Sequence, residues 1–349
     1  MATQMKGPGI FIAQFATADA PRNNIDNFGT WAAGLGYKGL QLPAWDPRFI
    51  DLDKAAESKT YCDEYAGKLK AKGLEVIDMF ALQGQMIAFH PAFDELFAGF
   101  HPAGLKGAAL LSWAQDQLKK CIKASVHLGC KGVPTLSGGL YWPFLYPWPQ
   151  RPAGIVETAY KELAKRWMPV LDFAKENGKT INYEIHPGCD IFDGATFDMF
   201  LDYTHNHDAV CINYDPSHFI LQGLDLYGFI RMYADRIKGV HVKDGEFVSS
   251  PKQGVYSGMQ SWGKRAGRFR TVGDGQVDFT RMFGLLTEIG YDGWAVLEWE
   301  DPVRDAEEAA KRSAPFIQDH LMTVAAYAFD NFLDSGADEA ANKRILGIS

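Results

Sequence analysis

The chain has 349 residues, with an apolar fraction of 47% and a charged fraction of 22%, ordinary values for a globular protein that buries a large core. That length admits two average domains or one large one, and α/β barrels are the usual single-domain exception. The formal net charge of −8 argues against a nucleic-acid partner, because affinity for phosphate backbones rests on clustered Lys and Arg.

The first residues, MATQMKGPGIFIAQFATADAP, hold no apolar core followed by a small-residue cleavage site, so no signal peptide is expected. No apolar run approaches the roughly 20 residues that span a bilayer. Cys62, Cys121, Cys130, Cys189 and Cys211 form no CxxC pair and read as reduced thiols. The expectation is a cytoplasmic protein with no membrane partner.

Along the chain, short β-rich runs alternate with amphipathic helical stretches, eight times over. The expected strands are 9–15 (GIFIAQF), 39–42 (GLQL), 75–81 (EVIDMFA) and 132–136 (GVPTL). They continue with 180–185 (TINYEI), 210–214 (VCINY), 238–242 (KGVHV) and 294–298 (WAVLE). Between them, stretches such as 158–176 and 226–236 carry apolar residues at helical spacing. Several strands follow a helix ending at Gly, as in AKGLEVIDMF and LGCKGVPTL. Strands alternating with helices imply parallel pairing, and eight such units close into a (β/α)8 barrel. An open doubly wound sheet is the alternative, but no GxGxxG follows the first strand. The whole chain, 1–349, reads as one TIM-barrel domain with a helical extension at about 330–349. That tail is a candidate surface for a second copy of the chain or a small partner subunit. Segments 83–107, 138–153 and 245–276 exceed ordinary connections. Each follows a strand, which puts it on the C-terminal face where barrel active sites lie.

Four consecutive strands in the second half end in a residue able to bind a cation. They are Glu184 in TINYEIHPG, Asp215 in CINYDPSH, His241 in KGVHVKD and Glu298 in WAVLEWED. An ionised carboxylate at the edge of an apolar core is costly unless paired or coordinated. A single strand-end acid is commonly a cap or salt bridge, but four on consecutive strands point to one divalent cation. Three oxygen donors and an imidazole suit Mn²⁺ first, with Co²⁺, Mg²⁺ and Zn²⁺ as alternatives, and the absence of thiolates argues against a structural zinc or an iron–sulfur site.

This pattern resembles the sugar phosphate isomerase/epimerase group of the xylose-isomerase-like barrels. That group includes ketose 3-epimerases, inosose dehydratases and hydroxypyruvate isomerases, with endonuclease IV a more distant relative. The resemblance implies that Glu184, Asp215, His241 and Glu298 hold the metal. It also implies that His218, in DPSH, contacts substrate oxygens. Gly273–Phe279 (GDGQVDF) is similar to the group's short motif before a helix. Two features depart from the ketose 3-epimerases. Phe247 stands where they carry an Arg after the metal His, and the following loop is long, with Arg265, Arg268 and Arg270 further on. The EIHPG motif resembles that of C-glycoside deglycosidase catalytic subunits, which implies a base at His186.

The shared chemistry is removal of a proton next to a carbonyl polarised by the metal. Reprotonation gives an isomerase or epimerase of a keto-sugar, with Glu184 and Glu298 flanking the reacting carbon. The alternative is a lyase or dehydratase that expels a β-substituent from a 3-keto-glycoside or inosose, with His186 as base. The bland alternative for His186 is a histidine bonded to a carboxylate such as Asp190. Lys243 and Asp244 shape the end of their strand by pairing or capping, and Lys243 is also a candidate substrate contact. Arg268 and Arg270 are candidates for binding an anionic substrate group, against the alternative of a solvated loop. Trp45 and Trp142 offer flat faces for a sugar ring. A multimetal nuclease would need further ligands from the early strands, which offer chiefly Gln14, Gln41 and Asp78. A sugar-binding module without turnover is the remaining rival.

Overall fold

The computed structural model describes residues 5–323 and 338–348. Eight parallel strands form one sheet: β1 (Lys6–Phe11), β2 (Gly39–Pro43), β3 (Glu75–Phe80), β4 (Gly132–Thr135), β5 (Thr180–Glu184), β6 (Val210–Tyr214), β7 (Ile237–Val242) and β10 (Trp294–Leu297). Their order is β3-β2-β1-β10-β7-β6-β5-β4, and a parallel bridge between Ala81 and Thr135 joins the two ends. The sheet is therefore closed into the expected barrel.

Strands β2, β4 and β6 are buried at every position. That fits parallel strands covered on both faces, by helices outside and by side chains within the lumen. Outside, Trp167 of the helix Ile155–Glu176 is fully buried and meets Tyr183 of β5 edge-on, with ring centroids 4.8 Å apart. Truncating such a ring to Ala costs about 3–5 kcal/mol. Inside, Phe11, Ile77, Phe80, Leu136 and Val296 form a second, smaller cluster beneath the mouth. Gly129 ends the helix Gly107–Leu128 at φ 75°, a left-handed position that turns the chain into β4.

Two expectations need correction. The first strand ends at Phe11 rather than residue 15, because Ala13–Phe15 coil into a 3₁₀ turn that carries Gln14 to the mouth. Residues 245–276 are not one continuous loop. Strands β8 (Asp244–Phe247) and β9 (Gly267–Arg270) pair antiparallel and raise the intervening residues as a ribbon. In the tail a helix spans Glu339–Leu346, and the remainder of the expected extension lies outside the described residues. Among the described residues no helix is long and apolar enough to cross a membrane.

Candidate metal centre

Side chains alternate faces along a strand, so residues two apart share one side. Glu184 and Asp215 leave β5 and β6 into the barrel mouth, where they meet His241 of β7 and Glu298 just beyond β10. One ligand atom from each lies within 4.8 Å of the others, and all four residues are buried. His241 Nδ1 is 2.8 Å from Glu298 Oε2 and 3.4 Å from Glu184 Oε2. The other partners are in place. Asp215 Oδ1 accepts from the backbone N–H and hydroxyl of Ser217 at 2.8 and 2.7 Å. Gln14 Nε2 donates to Glu298 Oε1 at 2.6 Å.

Two buried carboxylate oxygens, Asp215 Oδ2 and Glu298 Oε2, have no well-directed hydrogen-bond donor, and only the ion-pair approaches of His218, His241 and Lys243 at 2.8–3.6 Å answer them. Buried acceptors left this way are costly unless a cation completes them. Protonation tells the same story. Burial, then the neighbouring Glu298 charge, raises the Glu184 carboxyl to about 7. Burial opposes a charge on His241, but the Glu298 and Glu184 carboxylates outweigh it and raise the imidazole to about 9. The metal-free pocket thus gathers protons where a divalent cation fits, and the oxygen-rich donor set suits one.

The next ring of residues is equally defined. His218 Nε2 lies 3.1 Å from Glu184 Oε1 and 3.4 Å from Asp215 Oδ2. Lys243 is buried, with Nζ 2.6 Å from Glu300, 3.4 Å from Glu298 and 3.6 Å from Asp215. Its ammonium also sits 4.2 Å from the ring centre of Phe269. His186 is half-buried, and its Nδ1 meets the carbonyl of Pro187, which leaves Nε2 free toward Glu184 and His218. Burial, then the His218 charge, lowers His186 to about 4, so its imidazole is neutral near pH 7.

Asp190 is not the partner of His186. Its carboxylate accepts backbone N–H groups from Leu140, Tyr141 and Trp142, which moors the loop after β4 at the mouth. Asp244 closes the base of the ribbon in the same way, accepting from Gly245, Gly273, Gly275 and Val277. Trp45 is half-buried edge-on to Phe11 and Phe80, and Trp142 packs edge-on against Phe192. Arg268 and Arg270 share Glu246, at 2.5 and 2.9 Å, so one of their two charges is answered within the ribbon, and Arg270 also lies 3.7 Å from Asp301 beyond β10. Phe269, between them, is the ribbon residue that reaches the site, with its ring 5.3 Å from His218.

Asn213 escaped the sequence reading, and Gln41 entered it only as a residue the early strands offer, with no part at His241. Asn213 lies within 3.4 Å of Glu184 and 3.3 Å of both His241 ring nitrogens, and Gln41 Oε1 is 2.9 Å from His241 Nε2. The available signal was the two-residue period. Asn182, Asn213 and Gly239 each stand two places before Glu184, Asp215 and His241, one layer deeper in the lumen.

The family profile described as a xylose isomerase-like TIM barrel matches residues 30–320, and the chain belongs to that family. Its relatives are sugar-modifying enzymes. The chain is 33% identical over 167 residues to an inosose dehydratase of Clostridium tetani, covering 47% of this chain and 55% of that one. It thus spans about half the length of the curated relatives it matches. Its fold is similar to that of a 3-keto-D-glucoside 4-epimerase from E. coli, with TM-score 0.60 and 15% identity over 89% of this chain and 98% of that one. An L-ribulose 3-epimerase is similar in fold at TM-score 0.59 and 19% identity, covering 91% of this chain and 94% of that one.

Proposed function

We propose that the protein is a divalent-metal-dependent isomerase or epimerase of a keto-sugar or sugar derivative, acting by proton removal from the carbon beside a carbonyl. The observation that carries this reading is the convergence of Glu184, Asp215, His241 and Glu298 on one point, with two carboxylate oxygens there left without a well-directed hydrogen-bond donor. A bound cation, Mn²⁺ first among Mn²⁺, Co²⁺, Mg²⁺ and Zn²⁺, would polarise the ketone and stabilise enediolate charge.

The chain supplies the rest. Glu184 and Glu298 enter from different strands, which suits proton removal on one face of the carbon and return on the other. The Lys243 ammonium, fixed by three carboxylates and the Phe269 ring, faces the charge that develops on oxygen. His218 is placed to hydrogen-bond a substrate hydroxyl, and Phe269, Trp45 and Trp142 provide apolar walls that keep water out.

A second reading is elimination, by a lyase or dehydratase acting on a 3-keto-glycoside or an inosose. The free Nε2 of His186 favours it, since it is a neutral base separate from the metal ligands. The similarity to inosose dehydratases supports it as well. One experiment separates the two. Protein loaded with Mn²⁺ is incubated in D₂O with ketoses, an inosose and 3-keto-glucosides, and followed by NMR. Deuterium at a carbon beside the carbonyl with the substrate otherwise intact marks the isomerase. Release of water or aglycone marks the lyase, and no exchange with any of them defeats both.

A further inference from the structure

A histidine that binds a metal through one ring nitrogen must carry its proton on the other. In His241, Nδ1 faces Glu298 and Glu184, so the proton belongs on Nε2, which lies 2.9 Å from Gln41 Oε1 on the far side of the barrel. An amide alone does not guarantee this. Turned over, Gln41 would present its N–H₂ to Nε2 and favour the tautomer that cannot bind. The neighbouring strand removes the ambiguity. Asp78 stands opposite Gln41 in the β2–β3 register, so its carboxyl and the Gln41 amide share one face of the sheet. An ionised carboxylate only accepts, so above about pH 7, the value to which burial raises Asp78, the Gln41 N–H₂ is held toward Asp78 and its oxygen toward His241. The buried Asp78 Oδ1 has no hydrogen-bond partner, an acceptor left open beside the amide, and the residue lines a 320 Å³ cavity on the opposite, N-terminal face. Phe11 and Phe80 stack on the His241 ring at interplanar angles of 16° and 24° and hold its plane.

We propose that Asp78 and Gln41 are positioning residues of the metal centre, a carboxylate–amide–imidazole relay that locks His241 in the tautomer whose Nδ1 can bind the cation. The relay rests on the metal centre but not on which sugar reaction follows. Calorimetric titration with Mn²⁺ at pH 8, where Asp78 is ionised, tests it on the wild type, Asp78→Asn, Gln41→Leu and the double variant Asp78→Asn/Gln41→Glu. The amide in Asp78→Asn can donate to Gln41 and lets it turn over, so Mn²⁺ affinity drops about 10- to 100-fold. Gln41→Leu loses the acceptor and drops likewise. In the double variant the new carboxylate can only accept, from the new amide on one side and from His241 on the other. Affinity then returns to within roughly threefold of wild type, a coupling that a merely structural role would not produce.

Wild-type affinity in Asp78→Asn, or a double variant binding no better than Asp78→Asn, overturns the relay. Should Asp78→Asn fail to fold by circular dichroism, Gln41→Leu decides: undiminished affinity there overturns the relay and a drop supports it. Wild type that binds no Mn²⁺ overturns the metal centre and the relay together. Tight wild-type binding with indifferent variants overturns the relay alone.

Discussion

The imidazoles of His186 and His218 stand with their ring centroids 4.1 Å apart, yet they are committed differently. His218 Nε2 is engaged by Glu184, whereas His186 spends Nδ1 on a backbone carbonyl and keeps Nε2 free. If elimination is the reaction, replacing His186 by Gln lowers kcat by about 10²- to 10⁴-fold, the usual worth of a general base, with little change in KM. The isomerase, which moves its proton through Glu184 and Glu298, keeps its kcat. His218→Asn should act chiefly on KM. Steady-state kinetics on the substrate that exchanges deuterium checks both, and a fully active His186→Gln would move the base to a carboxylate.

Binding of the cation should release protons. With His241 raised to about 9 and Glu184 to about 7, the metal-free site holds the imidazole proton at neutral pH. The cation must displace it, so affinity rises with pH, by about tenfold per unit below the His241 value. Below about 7 the slope steepens as Glu184 also takes a proton. Titrations in buffers of different ionisation enthalpy count the protons directly, and a pH-independent affinity would contradict the assignment. Chelation should abolish activity. Returning Mn²⁺ at a hundred times its Kd should stabilise the fold by about 2.7 kcal/mol.

Lys243→Met should push binding and turnover in opposite directions. Removing an ammonium 3.4 Å from Glu298 and 3.6 Å from Asp215 makes the pocket more anionic, so Mn²⁺ binds about tenfold tighter or more. The same change removes the fixed charge facing the developing oxyanion, and kcat falls by about a hundredfold. Calorimetry and kinetics on one preparation test the pair of signs, and a loss of both would mean that Lys243 is structural.

Asp190→Asn should loosen the loop after β4, because an amide cannot accept all three N–H groups that the carboxylate holds. Limited proteolysis should then cut within residues 138–153. The cost depends on pH. Burial raises Asp190 from 3.8 to about 6, so relative to a group that does not titrate its contribution is fully present below about 4 and is lost as pH climbs through about 6. That loss is on the order of 3 kcal/mol for two units. Urea unfolding of both proteins at pH 4 and pH 7 should show the gap between them narrowing at the higher pH.

Much of this was legible because each key residue closes a β-rich run. Glu184, Asp215, His241 and Glu298 could be read from the chain, since a strand end in a parallel barrel has only one place to point. The fold was legible for a related reason, in the eightfold alternation and in glycines such as Gly129. What could not be read depends on contacts between distant segments. Gln41 and His241 are 200 positions apart in the chain, and only barrel closure brings them within 2.9 Å. The pairing of Arg268 and Arg270 with Glu246 depended on the ribbon, which the charge pattern did not reveal. His186 and Asp190 are near in sequence, but a turn at Gly188 (φ 101°) carries the carboxylate to the neighbouring loop instead.

All four side chains of the candidate metal centre fall between residues 184 and 298, and the long segments after β3 and β4 contribute none of them. On the proposed reading, the walls that segments 83–107 and 138–153 add thus lie apart from the metal-holding half, which itself carries His218 and Phe269. A lineage can rewrite residues 83–107 and 138–153, trading one guest for another, without risking the reactive half. The same partition makes those stretches natural grafting points for hybrids that keep the chemistry and change the sugar.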